Sequence, residues 1–208
     1  MGITVADATI SLRILAKAET HEAAQAQIAP IEKVIRERLG DLVFGVDDEE
    51  LQHAVLQLLA DKRLTLATAE SVTCGLVARK IGQVPGASEW FRGGIVAYQN
   101  QVKTEVLGVS AKLIEEHDVI SAPVVEAMAT GVRALLKTDL AVSTVGLAGP
   151  GGGSSDKPVG LVYVGLAWEG GVRSQSFSWV GTREEIQSRT AKLALNMVRL
   201  RLQYANSH

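Results

Sequence analysis

Leu64 to Gly75 reads LTLATAESVTCG, and this stretch decides the fold of the chain. Leu64 to Ala69 suits a buried strand. From about Cys74 to Ile81 the apolar residues recur with a helical period. A strand that turns at once into a helix is the building unit of an α/β sheet. Glu70, Ser71, Thr73 and Cys74 crowd the turn: a carboxylate, two hydroxyls and the only thiol of the chain.

Downstream, helical and strand patterns alternate. Gly94 to Tyr98 reads as a strand, Val102 to Leu107 as a short helix and Ala122 to Leu136 as a longer one. Leu140 to Ala148 is a second long buried strand, followed by a Gly-rich loop, Gly149 to Pro158. Val159 to Trp168 and Val172 to Val180 form a hairpin around Glu169, Gly170 and Gly171. Thr182 to Tyr204 closes the chain as an amphipathic helix. Upstream, Asp48 to Asp61 places Leu51, Val55, Leu58 and Leu59 on one helical face. The pattern predicts a three-layer α/β/α domain with a mixed sheet over residues 47–208.

Residues 1–46 read as a small α+β module of strand, helix and strand. Ala8 to Ala18 alternates Ile10, Leu12 and Ile14 with polar partners. Thr20 caps a helix that Pro30 kinks or splits, and Leu42 to Phe44 make a short strand. GVDDEE, Gly45 to Glu50, is the boundary.

Composition narrows the function. The chain has 208 residues, 47% apolar and 21% charged, with a net charge of −2. There is no basic excess to neutralise nucleic-acid phosphates. The basic residues of the first module, Arg13, Lys17, Lys33, Arg36 and Arg38, are balanced by Glu19, Glu22, Glu32 and Glu37. No apolar run reaches transmembrane length, and the N-terminus lacks the pattern of a secretory signal. A single cysteine excludes an internal disulfide and a multi-cysteine zinc site. The expectation is a cytoplasmic protein with no metal.

Two readings of the turn stand side by side. Ser71 or Thr73 can cap the following helix. Alternatively Ser71 is a nucleophile, with backbone N–H groups at the helix start stabilising an oxyanion. A serine nucleophile needs a base. Of the histidines, His21 and His53 lie in helical surface contexts, His117 in a loop between helices and His208 at the terminus. The other candidate base is Lys103, at the start of the helix after the Gly94–Tyr98 strand. Two strand-to-helix junctions of one sheet can face each other across the edge where α/β sheets bind ligands. A lysine held neutral by burial can serve as the base. Cys74 is a competing nucleophile, or a small packed thiol. The Gly-rich loop AGPGGGSSDKPVG, Ala148 to Gly160, is either a flexible turn or an anion-binding nest with Lys157 beside it. It lacks the lysine spacing and following helix of a nucleotide triphosphate loop.

Taken together, TAESVTCG (Thr68–Gly75), VPGASEWFRGGIVAYQNQVK (Val84–Lys103), GLAGPGGGSSDKPVGLVYVG (Gly146–Gly165) and GTREEIQSRTAKLAL (Gly181–Leu195) resemble the CinA family of competence and damage-inducible proteins. The likeness runs from about Leu51 to Leu202. Residues 8–46 are similar to the KH-type module that precedes this domain in longer members. The molybdopterin-binding-like domain that opens those members has no counterpart, nor is its pyrophosphatase activity implied.

The resemblance implies a nicotinamide mononucleotide deamidase. Ser71 matches the nucleophile, Lys103 the general base and Tyr98 a tyrosine lining the same site. Attack on the carboxamide would release ammonia, and water would then free nicotinic acid mononucleotide. Glu70 and Thr73 are expected to orient the turn. Thr73 and Cys74 are the expected oxyanion donors. Gly149, Gly152, Gly153, Lys157 and Arg189 are expected to contact ribose and phosphate. No cofactor is implied, and the expected partners are the nucleotide substrate and a second copy of the chain in a homodimer. Three departures define an alternative. The family's cysteine is Val72, one of its glycines is Cys74, and its His-Gly-Ala-Val-Ser is HDVIS, His117 to Ser121. If position 74 needs positive φ or close approach to substrate, a Cβ there obstructs it, leaving a binding or regulatory protein with impaired turnover.

Overall fold

The computed structural model describes residues 1–6 and 8–204. His208, weighed above as a base, lies outside the described residues. The chain divides into two compact units, Met1–Glu49 and Glu50–His208.

In the first unit, β1 (Gly2–Ala6) pairs antiparallel with β2 (Thr9–Arg13). Ile3 faces Leu12 and Val5 faces Ile10, so one face of the hairpin is apolar. Helix α1 (His21–Leu39) follows; the Thr20 side chain accepts the Ala23 N–H at 3.2 Å. The expected strand–helix–strand order is therefore replaced by hairpin and helix. The Ala8–Ala18 alternation yields a strand only where it has a ladder partner, up to Arg13. Leu42 to Phe44 forms no strand: Gly40–Leu42 is a 3-10 turn, and Gly40 itself has φ +50°. Pro30 does not split α1, which is assigned as one helix from His21 to Leu39. Two of the basic residues pair along α1, Arg36 with Glu32 at 2.8 Å and Lys33 with Glu37 at 3.9 Å.

The second unit is the expected mixed α/β fold. In chain order it runs α2 (Leu51–Lys62), β3 (Leu66–Glu70), α3 (Leu76–Gly82), β4 (Phe91–Val96), α4 (Asn100–Glu105), α5 (Ala111–His117), α6 (Ala122–Leu136), β5 (Leu140–Gly146), β6 (Leu161–Trp168), β7 (Gly171–Ser178) and α7 (Arg183–Tyr204). The sheet order is β4-β3-β5-β6-β7. β3 is parallel to β4 and β5, while β5–β6 and β6–β7 are antiparallel. All five residues of β3 are buried, as expected of a strand covered on both faces.

Helix α6 covers one face: Val124, Val125, Met128 and Val132 pack with Ala67, Ala69, Ala141 and Val145. It approaches closely because Gly165 lacks a side chain; a Cβ there would stand 2.7 Å from the Val125 carbonyl oxygen. Helices α2, α3 and α7 pack together on the other face, where Ile186 of α7 meets Val72, Ala148 and Val162. Several boundaries differ from expectation: β4 runs Phe91–Val96 rather than Gly94–Tyr98, and α4 runs Asn100–Glu105 rather than Val102–Leu107. Helix α3 starts at Leu76 rather than Cys74, and His117 ends a helix, α5, instead of lying in a loop. Among the described residues no helix is long and apolar enough to cross a membrane.

Candidate active site

The turn after β3 is built by its neighbours. The Ala97 N–H donates to the Glu70 carbonyl at 2.8 Å, and the Ser71 N–H to the Thr144 carbonyl at 2.9 Å. Ser71 is thus tied to β5 on one side, one residue beyond a bond to the end of β4 on the other. This is the carboxyl edge of the parallel strands, where α/β sheets present their sites. The Ser71 hydroxyl makes no hydrogen bond to protein among the described residues.

Glu70 answers the capping question. Its carboxylate is 1% exposed and accepts from the N–H groups of Val77 (3.0 Å) and Ala78 (2.8 Å) and from the Thr73 hydroxyl (2.7 Å). Thr73 Oγ1 lies 2.7 Å from Thr144 Oγ1. The N–H groups at the start of α3 therefore go to Glu70, not to Ser71 or Thr73. The physical reason is that the helix begins at Leu76 with Gly75 in the cap position, which has no side chain to offer. Through these bonds Glu70 and Thr73 tie the start of α3 to β3 and β5.

Between Ser71 and α3, two successive residues are left-handed: Cys74 at φ +51° and Gly75 at φ +91°. Position 74 thus needs the positive φ that glycine takes at no cost. The Cys74 N–H donates to the Ser71 carbonyl at 3.2 Å. It closes the turn and is not a spare oxyanion donor, contrary to expectation. The N–H groups of Val72 and Thr73 donate to no protein group among the described residues, and they are the available pair beside Ser71.

Lys103 lies on α4 and is 1% exposed. Its Nζ donates to the carbonyls of Ala97 at 2.8 Å and Tyr98 at 3.0 Å, the two residues that follow β4. Among the described residues no carboxylate is paired with it, and burial pushes its pKa below the ordinary 10.5. A neutral amine has two N–H donors and one lone pair. The two carbonyls take the donors and leave the lone pair as a base. Among the described residues of the second unit, His53 Nδ1 accepts the Glu50 N–H at 2.9 Å and His117 ends α5, and neither pairs with Ser71 or Lys103; His21 opens α1 of the first unit.

Tyr98 is half exposed, and its hydroxyl accepts from Arg183 Nη2 at 2.8 Å. Arg183 Nη1 donates to the Gly149 carbonyl at 2.9 Å, bringing the Gly-rich loop to the same edge. Gly149 and Gly152 take φ of +71° and +88°, and Gly153 packs beside Val159. Two expected contacts are engaged elsewhere. Lys157 Nζ pairs with Asp118 at 2.7 Å, and Arg189 Nη1 donates to the Val180 carbonyl at 2.6 Å with Glu185 at 3.9 Å. Asp118 takes φ +67°, one of six positive-φ positions held by residues other than glycine among the described residues.

Sequence reasoning missed Thr144, Arg183 and Gln187, whose Nε2 donates to the Val72 carbonyl at 2.8 Å. Thr144 is one polar residue in a buried strand. Arg183 is one basic residue in an exposed helix start. Neither carries a local signal. Among the described residues no cluster of His, Cys, Asp and Glu could hold a metal. A cleft of about 240 Å³ lies at the other end of the sheet, lined by Leu64, Asp139, Trp168, Glu169 and Arg201. Its Arg201 guanidinium stacks on the Trp168 ring at 4.4 Å.

The CinA C-terminal domain model matches residues 48–202, and the model for the KH domain of damage-inducible protein CinA matches residues 1–45. The chain belongs to the CinA family. It is 46% identical over 195 residues to a Caldanaerobacter subterraneus protein named as competence-damage inducible, covering 94% of this chain and 47% of that one. It is 44% identical over 190 residues to a CinA-like protein of Kosmotoga olearia, covering 91% and 46%. The chain thus spans about half the length of these CinA relatives. Among solved structures, the competence/damage inducible protein CihA from Agrobacterium tumefaciens superposes with a TM-score of 0.72 at 33% identity, covering 77% of this chain and 98% of that one.

Proposed function

We propose that this CinA-family chain is an amidohydrolase that converts nicotinamide mononucleotide to nicotinic acid mononucleotide and ammonia. The observation that carries the reading is Lys103: a buried lysine without an acid partner, its two donors on the Ala97 and Tyr98 carbonyls, at the strand end next to Ser71. A lysine held this way is of little use to stability and well suited to general base catalysis.

In the reaction, Lys103 Nζ takes the Ser71 proton as Oγ bonds to the carboxamide carbon. The Val72 and Thr73 N–H groups steady the oxyanion. The tetrahedral species collapses by breaking the C–N bond, and Lys103 returns the proton to the leaving nitrogen, which departs as ammonia. Water then attacks the acyl ester, giving its proton to Lys103. Ser71 Oγ leaves with that proton, and the acid is released. Tyr98 borders this space.

Cys74 bears on the alternative of an impaired binder. Holding a non-glycine residue left-handed costs about 1–2 kcal/mol, small against the barrier lowering that turnover requires. The test is ammonia release from nicotinamide mononucleotide by the wild type and by Ser71→Ala. Turnover that disappears in the variant supports the reading. Nucleotide binding without turnover in either protein supports the impaired binder instead.

A further inference from the structure

Arg183 opens α7, and its guanidinium is fixed from two sides. Nη2 donates to the Tyr98 hydroxyl at 2.8 Å and Nη1 to the Gly149 carbonyl at 2.9 Å. Tyr98 follows β4 and Gly149 follows β5, the two strands that flank β3 and its Ser71. The side chain therefore bridges both walls of the candidate active site. A guanidinium has five N–H donors, of which these bonds use two. Three remain on an exposed side chain whose orientation is already set.

Neighbouring groups that could hold an anion are otherwise occupied. Lys157 is paired with Asp118, and Arg189 is held by Val180 and Glu185 on the outer side of the same helix start. The N-terminus of α7 is closed by reciprocal bonds: the Thr182 N–H donates to Glu185 at 2.7 Å, and the Glu185 N–H to the Thr182 hydroxyl at 3.3 Å. We propose that Arg183 is the specificity-determining residue that reads the substrate phosphate and separates a mononucleotide from its nucleoside. The proposal rests on the amidase reading for the identity of the substrate. Its physical basis is that a planar fork of donors, held in place before binding, meets a phosphate with little loss of freedom.

The test compares nicotinamide mononucleotide with nicotinamide riboside as substrates for the wild type, Arg183→Gln and Arg183→Lys. The expected result is a KM for the mononucleotide raised roughly ten- to a hundredfold in Arg183→Gln, with the riboside KM raised far less and Arg183→Lys intermediate. An equal loss on both substrates overturns the proposal, because Arg183 then acts only by holding Tyr98. If the wild type releases no ammonia from either compound, calorimetry with nicotinic acid mononucleotide and nicotinic acid riboside decides. A preference for the phosphorylated ligand that Arg183→Gln abolishes sustains the role of Arg183 while the amidase reading falls. No such preference in the wild type overturns it. Thermal melts of both variants establish that each is folded.

Discussion

Two loops leave neighbouring strands at one edge of the sheet, and they are held in opposite ways. The turn after β3 is fixed at nearly every position, by the buried Glu70 carboxylate, the Thr73–Thr144 hydroxyl pair and backbone bonds to β4 and β5. The loop from Gly149 to Pro158 after β5 is largely exposed; at its ends Arg183 holds Gly149 and Asp118 holds Lys157. Bond making demands a nucleophile placed to within a fraction of an ångström, whereas a loop that wraps a polar ligand can move to meet it. On the amidase reading, the difference fits chemistry at the first loop and enclosure by the second.

The sharpest way to break this contrast is to remove the chemistry. Ser71→Ala and Lys103→Ala are each expected to lower ammonia release by at least about a thousandfold, with melting and ligand binding retained. A similar loss from Gly152→Ala, at the tip of the exposed loop, would erase the distinction. The pH profile sharpens it further. Burial lowers the Lys103 pKa, so kcat/KM rises with pH along a limb whose midpoint lies below the ordinary 10.5. That limb is absent in Lys103→Ala. The sign follows because the base acts in its neutral form, which burial favours.

Stability separates the loops next. Glu70→Ala leaves the first N–H groups of α3 and the Thr73 hydroxyl without their acceptor in a buried site. The expected cost is about 2–4 kcal/mol, read from denaturant midpoints. Cys74→Gly removes left-handed strain but adds freedom to the unfolded chain, so it gains no more than about 1 kcal/mol. Ammonia release should stay within a few-fold of the wild type. A large rise in turnover would instead mark Cys74 as the cause of an impaired enzyme. The smallest effect is expected of Asp118→Asn. It loosens a half-exposed ion pair worth about 0–1 kcal/mol and should show mainly as faster amide exchange across Gly151 to Lys157.

Sequence and structure agree wherever periodicity is strong. The strand in the Leu64–Ala69 region (Leu66–Glu70), the Ala122–Leu136 helix and the hairpin after Pro158 take the expected form; the first is buried throughout, the second buries one face and the third buries its first strand. Agreement fails where a short segment depends on a partner distant in sequence. GITVA at residues 2–6 becomes a strand only against Thr9–Arg13, and Leu42–Phe44 finds no ladder among the described residues. At the site, Ser71 and Lys103 are singled out by the CinA resemblance, since a serine or a lysine near a helix start is common by itself. Glu70 as the cap of α3 is not legible, since the helix starts six residues beyond it and depends on a glycine in the cap position. Thr144 and Arg183 join the site only through the order of strands, which single residues do not encode.

One feature of the sheet has a bearing on how such a site can change. β5 and β6 are antiparallel neighbours, so the Gly149–Pro158 loop returns the chain to the adjacent strand instead of crossing the sheet. Its length is therefore uncoupled from strand register, and doubling it would cost only about 0.6 kcal/mol in closure entropy. Residues can be added or removed there to widen or narrow the aperture around a ligand while Ser71 and Lys103 keep their positions. The architecture separates a rim of adjustable length from the fixed turn that carries Ser71.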